Sequence, residues 1–294
     1  MTQMNIKQNP LKGILFFMTS IFLISIVDTI CKFYTKDLHS IQLVWGYFVG
    51  INVILWIFFF LKGEKVNTLR STDKILLQII RPAFLVCSIS SLFVGLTYLP
   101  IAEATAIGFV APLFITALSF PILKEKVDVH RWIAVIIGLI GVIIIARPGG
   151  DFWHLASIMP LLGALFFALF QIMTRLLSAT EKTYTTLFYT GLGGLIWSSL
   201  MVPFVWVTPS QIHILVFIGT GVMGAMAHLF MISAFDRAEA SLLAPYNYTK
   251  LIWVIFLGYW IFDDIPSLDM WMGVIIIVSA GFYVFYREKN SHSV

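Results

Sequence analysis

Charge is scarce in this 294-residue sequence: Asp, Glu, Lys and Arg together make up 12% of it, where a soluble domain carries about 25%. Too few charges exist to clothe one or two water-exposed domains of this length. Cysteine is scarcer still: Cys31 and Cys87 lie far apart, with neither disulfide nor metal spacing. Catalytic signatures are missing as well. There is no HExxH pair, no Ser/His/Asp set and no phosphate-cradling glycine loop, so no enzyme, cofactor or metal is expected. "DDIPSLD" (Asp263, Asp264, Asp269) does not match the DDxxD of membrane prenyltransferases and has no second acidic cluster to work with. The chain has no nucleotide-binding domain, which excludes transport driven directly by ATP within this chain. Its net charge of +4 is spread along the sequence rather than gathered into a basic patch, which argues against a nucleic-acid partner.

What is present is apolar. Hydrophobic residues make up 59% of the chain and the mean hydropathy is +0.92. A helix crossing the hydrocarbon core needs about 20 apolar residues, and ten stretches qualify: 12–31, 41–61, 76–98, 103–123, 130–146, 155–175, 184–206, 212–233, 240–262 and 270–286. The expectation is an all-α integral membrane protein whose surroundings are a lipid bilayer. The first stretch follows Lys7 and Lys12 as a signal peptide would. It reaches Asp28 and Lys32 instead of a cleavage site, so it reads as a retained helix. With the N-terminus inside, 15 of the 19 Lys and Arg fall on the cytoplasmic side, Arg81 and Arg175 among them. Lys32, Lys36 and Arg147 fall outside and Lys250 lies within a span. The positive-inside rule then places both termini in the cytoplasm.

The chain repeats itself. "AEAT" at 102–105 opens the fourth span and "AEAS" at 238–241 opens the ninth, each followed by an Ala-Pro step (Ala111-Pro112, Ala244-Pro245), the two steps out of register by three residues. "ILKEKVDVHRW" and "IFDDIPSLDMW" then align on Trp132 and Trp271, and Asp28 with Lys32 matches Gln171 with Arg175. Two five-helix units, 1–148 and 149–294, account for these matches. Because five is odd, the second must insert inverted, an arrangement common in secondary transporters with a midplane site between the halves.

The ten spans, the AEA[ST]-apolar-Pro-apolar-acidic block in both halves and "GLIGVIIIARPGG" at the end of the first half resemble the EamA-type permeases of the drug/metabolite transporter superfamily. The resemblance runs from about Gly13 to Glu288. It implies a bacterial-type inner-membrane carrier with a central cavity and alternating access. Members move amino acids, S-adenosylmethionine, riboflavin and other metabolites in either direction. Many relatives carry an arginine early in the second span, where this chain reads "LVWGYFVG"; a role for that arginine does not transfer here.

One stretch asks for explanation by itself: "AEASLLAPYNYTKLIWVIFLGYWIF", with a lone lysine, Lys250, about 16 Å along a helix from Glu239. A central Lys costs roughly 2.5–3.5 kcal/mol to insert, so it faces water, a partner carboxylate or a substrate. Tyr246, Lys250 and Trp253 share one helical stripe, with Asn247 beside it, and Pro245 breaks the backbone pattern just before. A substrate contact at Lys250 is the favoured reading, and a structural pair with a carboxylate from another helix is the alternative. Glu103 and Glu239 each open a helix, where a carboxylate is favoured; they are gates on opposite membrane faces or simple caps. Asp28 either pairs with Lys32 or binds a proton or cation, with Gln171 as its untitratable counterpart. His228 is a proton relay or, as the commoner case, a hydrogen-bonded packing residue. Trp45, Tyr47, Asn52, Tyr98 and Tyr189 are candidate cavity linings, although such aromatics more often pack or form an interfacial belt. The expected function is a permease for a small carboxylate-bearing metabolite, such as an amino acid or S-adenosylmethionine. A carrier of riboflavin or another vitamin-like solute is the alternative, with a channel or membrane enzyme behind it.

Overall fold

A backbone in hydrocarbon must satisfy its own N–H and C=O groups, which leaves helices as the direct solution for runs this apolar. The computed structural model describes residues 9–63, 69–123, 129–146, 157–178, 180–238, 243, 246–247 and 249–291. Its helices are α1 (Pro10–Tyr34), α2 (Ser40–Lys62), α3 (Ile75–Tyr98), α4 (Ile101–Gly108), α5 (Ala111–Leu123) and α6 (Val129–Ala146) in the first half. The second half holds α7 (Ile158–Ser178), α8 (Thr183–Met201), α9 (Gln211–Phe235), α10 (Thr249–Phe262) and α11 (Leu268–Ser291). Together they make ten spans, because α4 and α5 are two pieces of one. Local chemistry sets several ends. Asn9 Oδ1 accepts from the Lys12 N–H at 3.1 Å, with Pro10 in the first turn of α1. Gly63 closes α2 at φ +66, where a side chain would be strained.

The fourth span departs from the expected single helix. Pro112 has no N–H to give the Gly108 carbonyl, and the helix stops at Gly108 and restarts at Ala111. Tighter bonds bridge the gap: Val110 N–H donates to the Ile107 carbonyl at 3.3 Å, and Leu113 N–H to the Val110 carbonyl at 2.9 Å. In the ninth span a short turn at 246–247 precedes α10. Pro245 and Glu239 lie outside the described residues.

Helix neighbours obey an internal two-fold. The most extensive contacts join α3 to α7, α1 to α9, α2 to α9 and α6 to α11, with α3 against α8 and α2 against α8 next. Exchanging the halves (α1 with α7, α2 with α8, α3 with α9, α6 with α11) turns each of these contacts into itself or another. The fold is therefore two five-helix repeats, inverted because each has an odd number of spans. Small residues permit the close crossings. A Cβ added to Gly221 of α9 would fall 2.3 Å from the Gly50 Cα of α2, and Phe217 lies over Gly46. Phe60, Phe204, Trp260 and Ile275 project from the bundle, as a surface meant for lipid requires. This is a multi-pass membrane protein.

One charge was misplaced by reading the sequence. Arg81 was counted with the loop charges, but it sits seven residues into α3 with its side chain fully buried. Its partners explain how the bundle tolerates it and are described below.

Candidate functional site

Between the repeats lies a cavity walled by α1, α3, α4, α5, α7 and α9 together with Tyr47 of α2, Asn247 and Lys250. Its volume is about 160 Å³, smaller than the roughly 300–1,000 Å³ of sites that enclose a drug-sized ligand. A bulky solute therefore needs the helices to part. Hydroxyls clamp the walls from both halves: Ser20 of α1 donates to the Ala227 carbonyl of α9 at 2.8 Å, and Ser88 of α3 to the Gly163 carbonyl of α7 at 2.9 Å. The lining is mainly apolar, with Phe93, Phe109 and Phe167 as its flat surfaces.

Its polar groups are few. Lys250 Nζ and Asp28 Oδ2 stand 2.6 Å apart, the lysine side chain 20% exposed and the carboxylate 6%. The approach is not that of a hydrogen bond, so among the described residues Asp28 Oδ2 is held by charge alone. The two alternatives for Lys250 thus meet in one residue, which is paired with a carboxylate and also faces the cavity. Asp28 does not pair with Lys32, one turn further along α1. Lys32 Nζ instead bonds Asp264 Oδ2 at 2.8 Å and lies 4.7 Å from the centre of the Phe262 ring. The chain leaves α10 through Asp263 at φ +54, and the Asp264 N–H returns to the Gly258 carbonyl at 3.2 Å. That capping turn brings Asp264 to Lys32. His228 and Tyr47 share a hydrogen bond at 3.0 Å at the cavity wall, and Gln171 lines it as a buried amide.

The cavity ends one turn short of a buried polar seam. On α3 the lining begins at Leu85 and on α7 it stops at Gln171; the next turns carry Arg81 and Thr174. The Arg81 guanidinium donates to Thr174 Oγ1 at 3.1 Å, the Thr186 carbonyl at 2.8 Å and Thr190 Oγ1 at 2.5 Å, with the Phe170 ring centre 5.1 Å away. It stitches α3, α7 and α8 together at the end of the bundle where α1 begins. Gln78, one turn away on α3, is fully buried, and neither of its side-chain polar atoms finds a partner among the described residues. Phe217 stands at the equivalent position of the other half in the register of the AEA[ST] blocks, so that position is apolar where Arg81 is charged.

The other candidates fall elsewhere. Trp45 donates to Ser199 Oγ at 3.1 Å and packs edge-on against Trp206 and Phe217, away from the cavity. Trp253 meets Phe22 edge-on with ring centres 4.7 Å apart, and Tyr246 is half-buried against the core. Tyr98 is exposed at the end of α3, and Glu103 sits in the first turn of α4, two residues before the lining Thr105. Asn52 ties α2 to α8 through the Gly191 carbonyl at 2.8 Å, and Tyr189 donates to the Arg70 carbonyl at 3.1 Å. Residues missed by sequence reasoning include Ser20, Ser88 and Arg81. Ser20 and Ser88 carry no signal in an apolar run. Arg81 does: it sits seven residues into such a run, next to Pro82.

The chain matches the EamA-like transporter family twice, over residues 11–147 and 154–286. An S-adenosylmethionine uptake transporter from Rickettsia prowazekii is 28% identical over 283 residues, covering 96% of this chain and 95% of that protein. A riboflavin transporter from Vibrio cholerae is 30% identical over 295 residues, covering 98% of each. A crystal structure of a protein 17% identical superposes with a TM-score of 0.68 over 93% of this chain and 96% of the other, a likeness of fold alone. Two inverted repeats around a cavity, and the family match over nearly the whole of both, lead to one conclusion: the chain belongs to the EamA-like transporter family.

Proposed function

We propose that the protein is a secondary transporter of the inner membrane that moves a small carboxylate-bearing metabolite by alternating access. Both termini lie in the cytoplasm in this reading, and Lys250 is the contact for the carboxylate. The observation that carries the proposal is a lysine facing the cavity between the two repeats at 20% exposure, its charge met only by Asp28 among the described residues. With this orientation the Arg81 seam closes the cytoplasmic end below the cavity. Alternation then means breaking that seam while the Phe217 side tightens.

A second reading takes riboflavin as the solute. Phe93, Phe109 and Phe167 suit a flat ring system, and the Vibrio relative carries the name of a riboflavin transporter. One experiment separates the two: purified protein in liposomes, supplied with S-adenosylmethionine, amino acids or riboflavin, with and without a proton gradient, and uptake read by mass spectrometry. Saturable uptake of a carboxylate-bearing solute, lost in Lys250→Met, is the expected result. Saturable uptake of riboflavin alone, indifferent to Lys250→Met, would overturn it, and flux that never saturates would replace the carrier with a channel.

A further inference from the structure

We propose that Asp28 and Lys250 form a two-pole receptor for a zwitterionic head group, closed on itself in the empty cavity and opened by a solute that carries a cationic amine beside its carboxylate. This rests on the reading that Lys250 receives a carboxylate. The two side chains line the same cavity at 2.6 Å from each other. A carboxylate arriving at Lys250 must displace the Asp28 oxygen that already occupies that position. A plain carboxylic acid exchanges one anion for another and leaves Asp28, 6% exposed, as a buried charge without a counter-ion.

Asp28 has no ready replacement. Lys32 is engaged by Asp264 at 2.8 Å and by the Phe262 ring. Arg81 is spent on Thr174, Thr186 and Thr190 behind Phe170. His228 is hydrogen-bonded to Tyr47. The replacement cation must therefore arrive with the solute. In an α-amino acid the ammonium and the carboxylate hang from one carbon, so each reaches its partner when the pair separates only slightly. Asn247 and Gln171, which also line the cavity, are neutral amides that add no competing charge. The substrate class is thus an amino-acid head group with an apolar or aromatic remainder lying along the phenylalanines.

The test uses the purified full chain and the ligand-induced rise in its melting temperature. The probes are S-adenosylmethionine and methionine, the forms of each lacking only the carboxylate or only the amine, and riboflavin. The zwitterions are expected to bind at least tenfold more tightly than either one-pole form. In Asp28→Asn the gap between methionine and 4-(methylthio)butanoate should shrink below threefold. If that variant does not fold, the comparison on the unaltered protein decides. A carboxylate-only form that binds as tightly as its zwitterion overturns the two-pole receptor and leaves the Lys250 contact standing. Failure of every carboxylate-bearing probe to bind overturns the Lys250 reading itself.

Discussion

Removing the charge on Lys250 separates its structural role from its role in binding. Lys250→Met keeps most of the side-chain volume and strands Asp28, whose side chain is 6% exposed. Breaking a buried pair by deleting one partner costs about 3–5 kcal/mol. The pair borders a cavity, where water can reach the stranded carboxylate, so the lower value of about 3 kcal/mol applies. At roughly 2–4 °C per kcal/mol for chains of about this size, the melting temperature should fall on the order of 6–12 °C. Asp28→Asn leaves the more exposed partner, Lys250, and should cost less. The double variant removes both charges and should recover at least half of the Lys250→Met loss, because nothing is then left unpaired. The assay is thermal unfolding in detergent followed by tryptophan fluorescence for all four proteins, with uptake measured on the same preparations. Lys250→Met and the double variant, stable as the latter is, should both fail to transport a carboxylate-bearing solute. A double variant whose destabilisation equals the sum of the two single losses would show no coupling and would refute the pairing on which the reasoning depends.

Arg81→Met should preserve the melting temperature, since an apolar residue of similar volume replaces a costly buried charge, yet loosen the seam. Cysteine at Met231, in a background lacking Cys31 and Cys87, should then react faster with an impermeant thiol reagent from the cytoplasmic side; an unchanged rate counts against the seam as a gate. Gly221→Val puts a Cβ 2.3 Å from the Gly50 Cα, a clash with backbone, whereas a Cβ at Gly219 meets nothing within 4 Å. The first should cost about 1–3 kcal/mol or more and the matched Gly219→Ala should be near neutral, both read as melting temperatures. Single cysteines at Ser71 and Ser267 should label from opposite sides of the membrane, and labelling from one side would contradict the proposed orientation. Burial raises the carboxyl pKa of Asp236, at the turn after α9, against the lowering effects of the Thr183 hydroxyl and Arg237. The folded state therefore holds this proton more tightly than the unfolded chain. Its contribution is complete below the ordinary aspartate value and is lost as pH climbs through the raised one. Asp236→Asn should flatten that acidic limb of the melting temperature against pH, and an unaltered limb would show that other groups set it.

Much of the fold was legible before any coordinates. Ten spans followed from apolar length, because a continuous apolar run satisfies its own backbone in hydrocarbon as a helix. The inverted repeat followed from matched blocks and an odd helix count. Lys250, Asp28, Gln171, Asn247 and His228 announced themselves because polar groups in apolar runs are expensive and few. Partnership was another matter. Helical spacing offers Asp28 its neighbour Lys32, but the capping turn after α10 hands Lys32 to Asp264, and only the packing of α1 against α10 brings Asp28 to Lys250. Trp45 and Trp253 had the same aromatic character as a cavity lining and proved to pack elsewhere, since periodicity fixes a face of a helix and not what that face meets. Arg81 looked like a loop charge by its place near a span's edge, and the hydroxyls of Thr174 and Thr190 with the Thr186 carbonyl, from two other helices, made its burial possible. The sequence alone determined which segments enter the membrane and which charges must find partners, because transfer energies are local to each residue. The tertiary structure decided which partners they find, because those contacts join residues more than 90 positions apart along the chain.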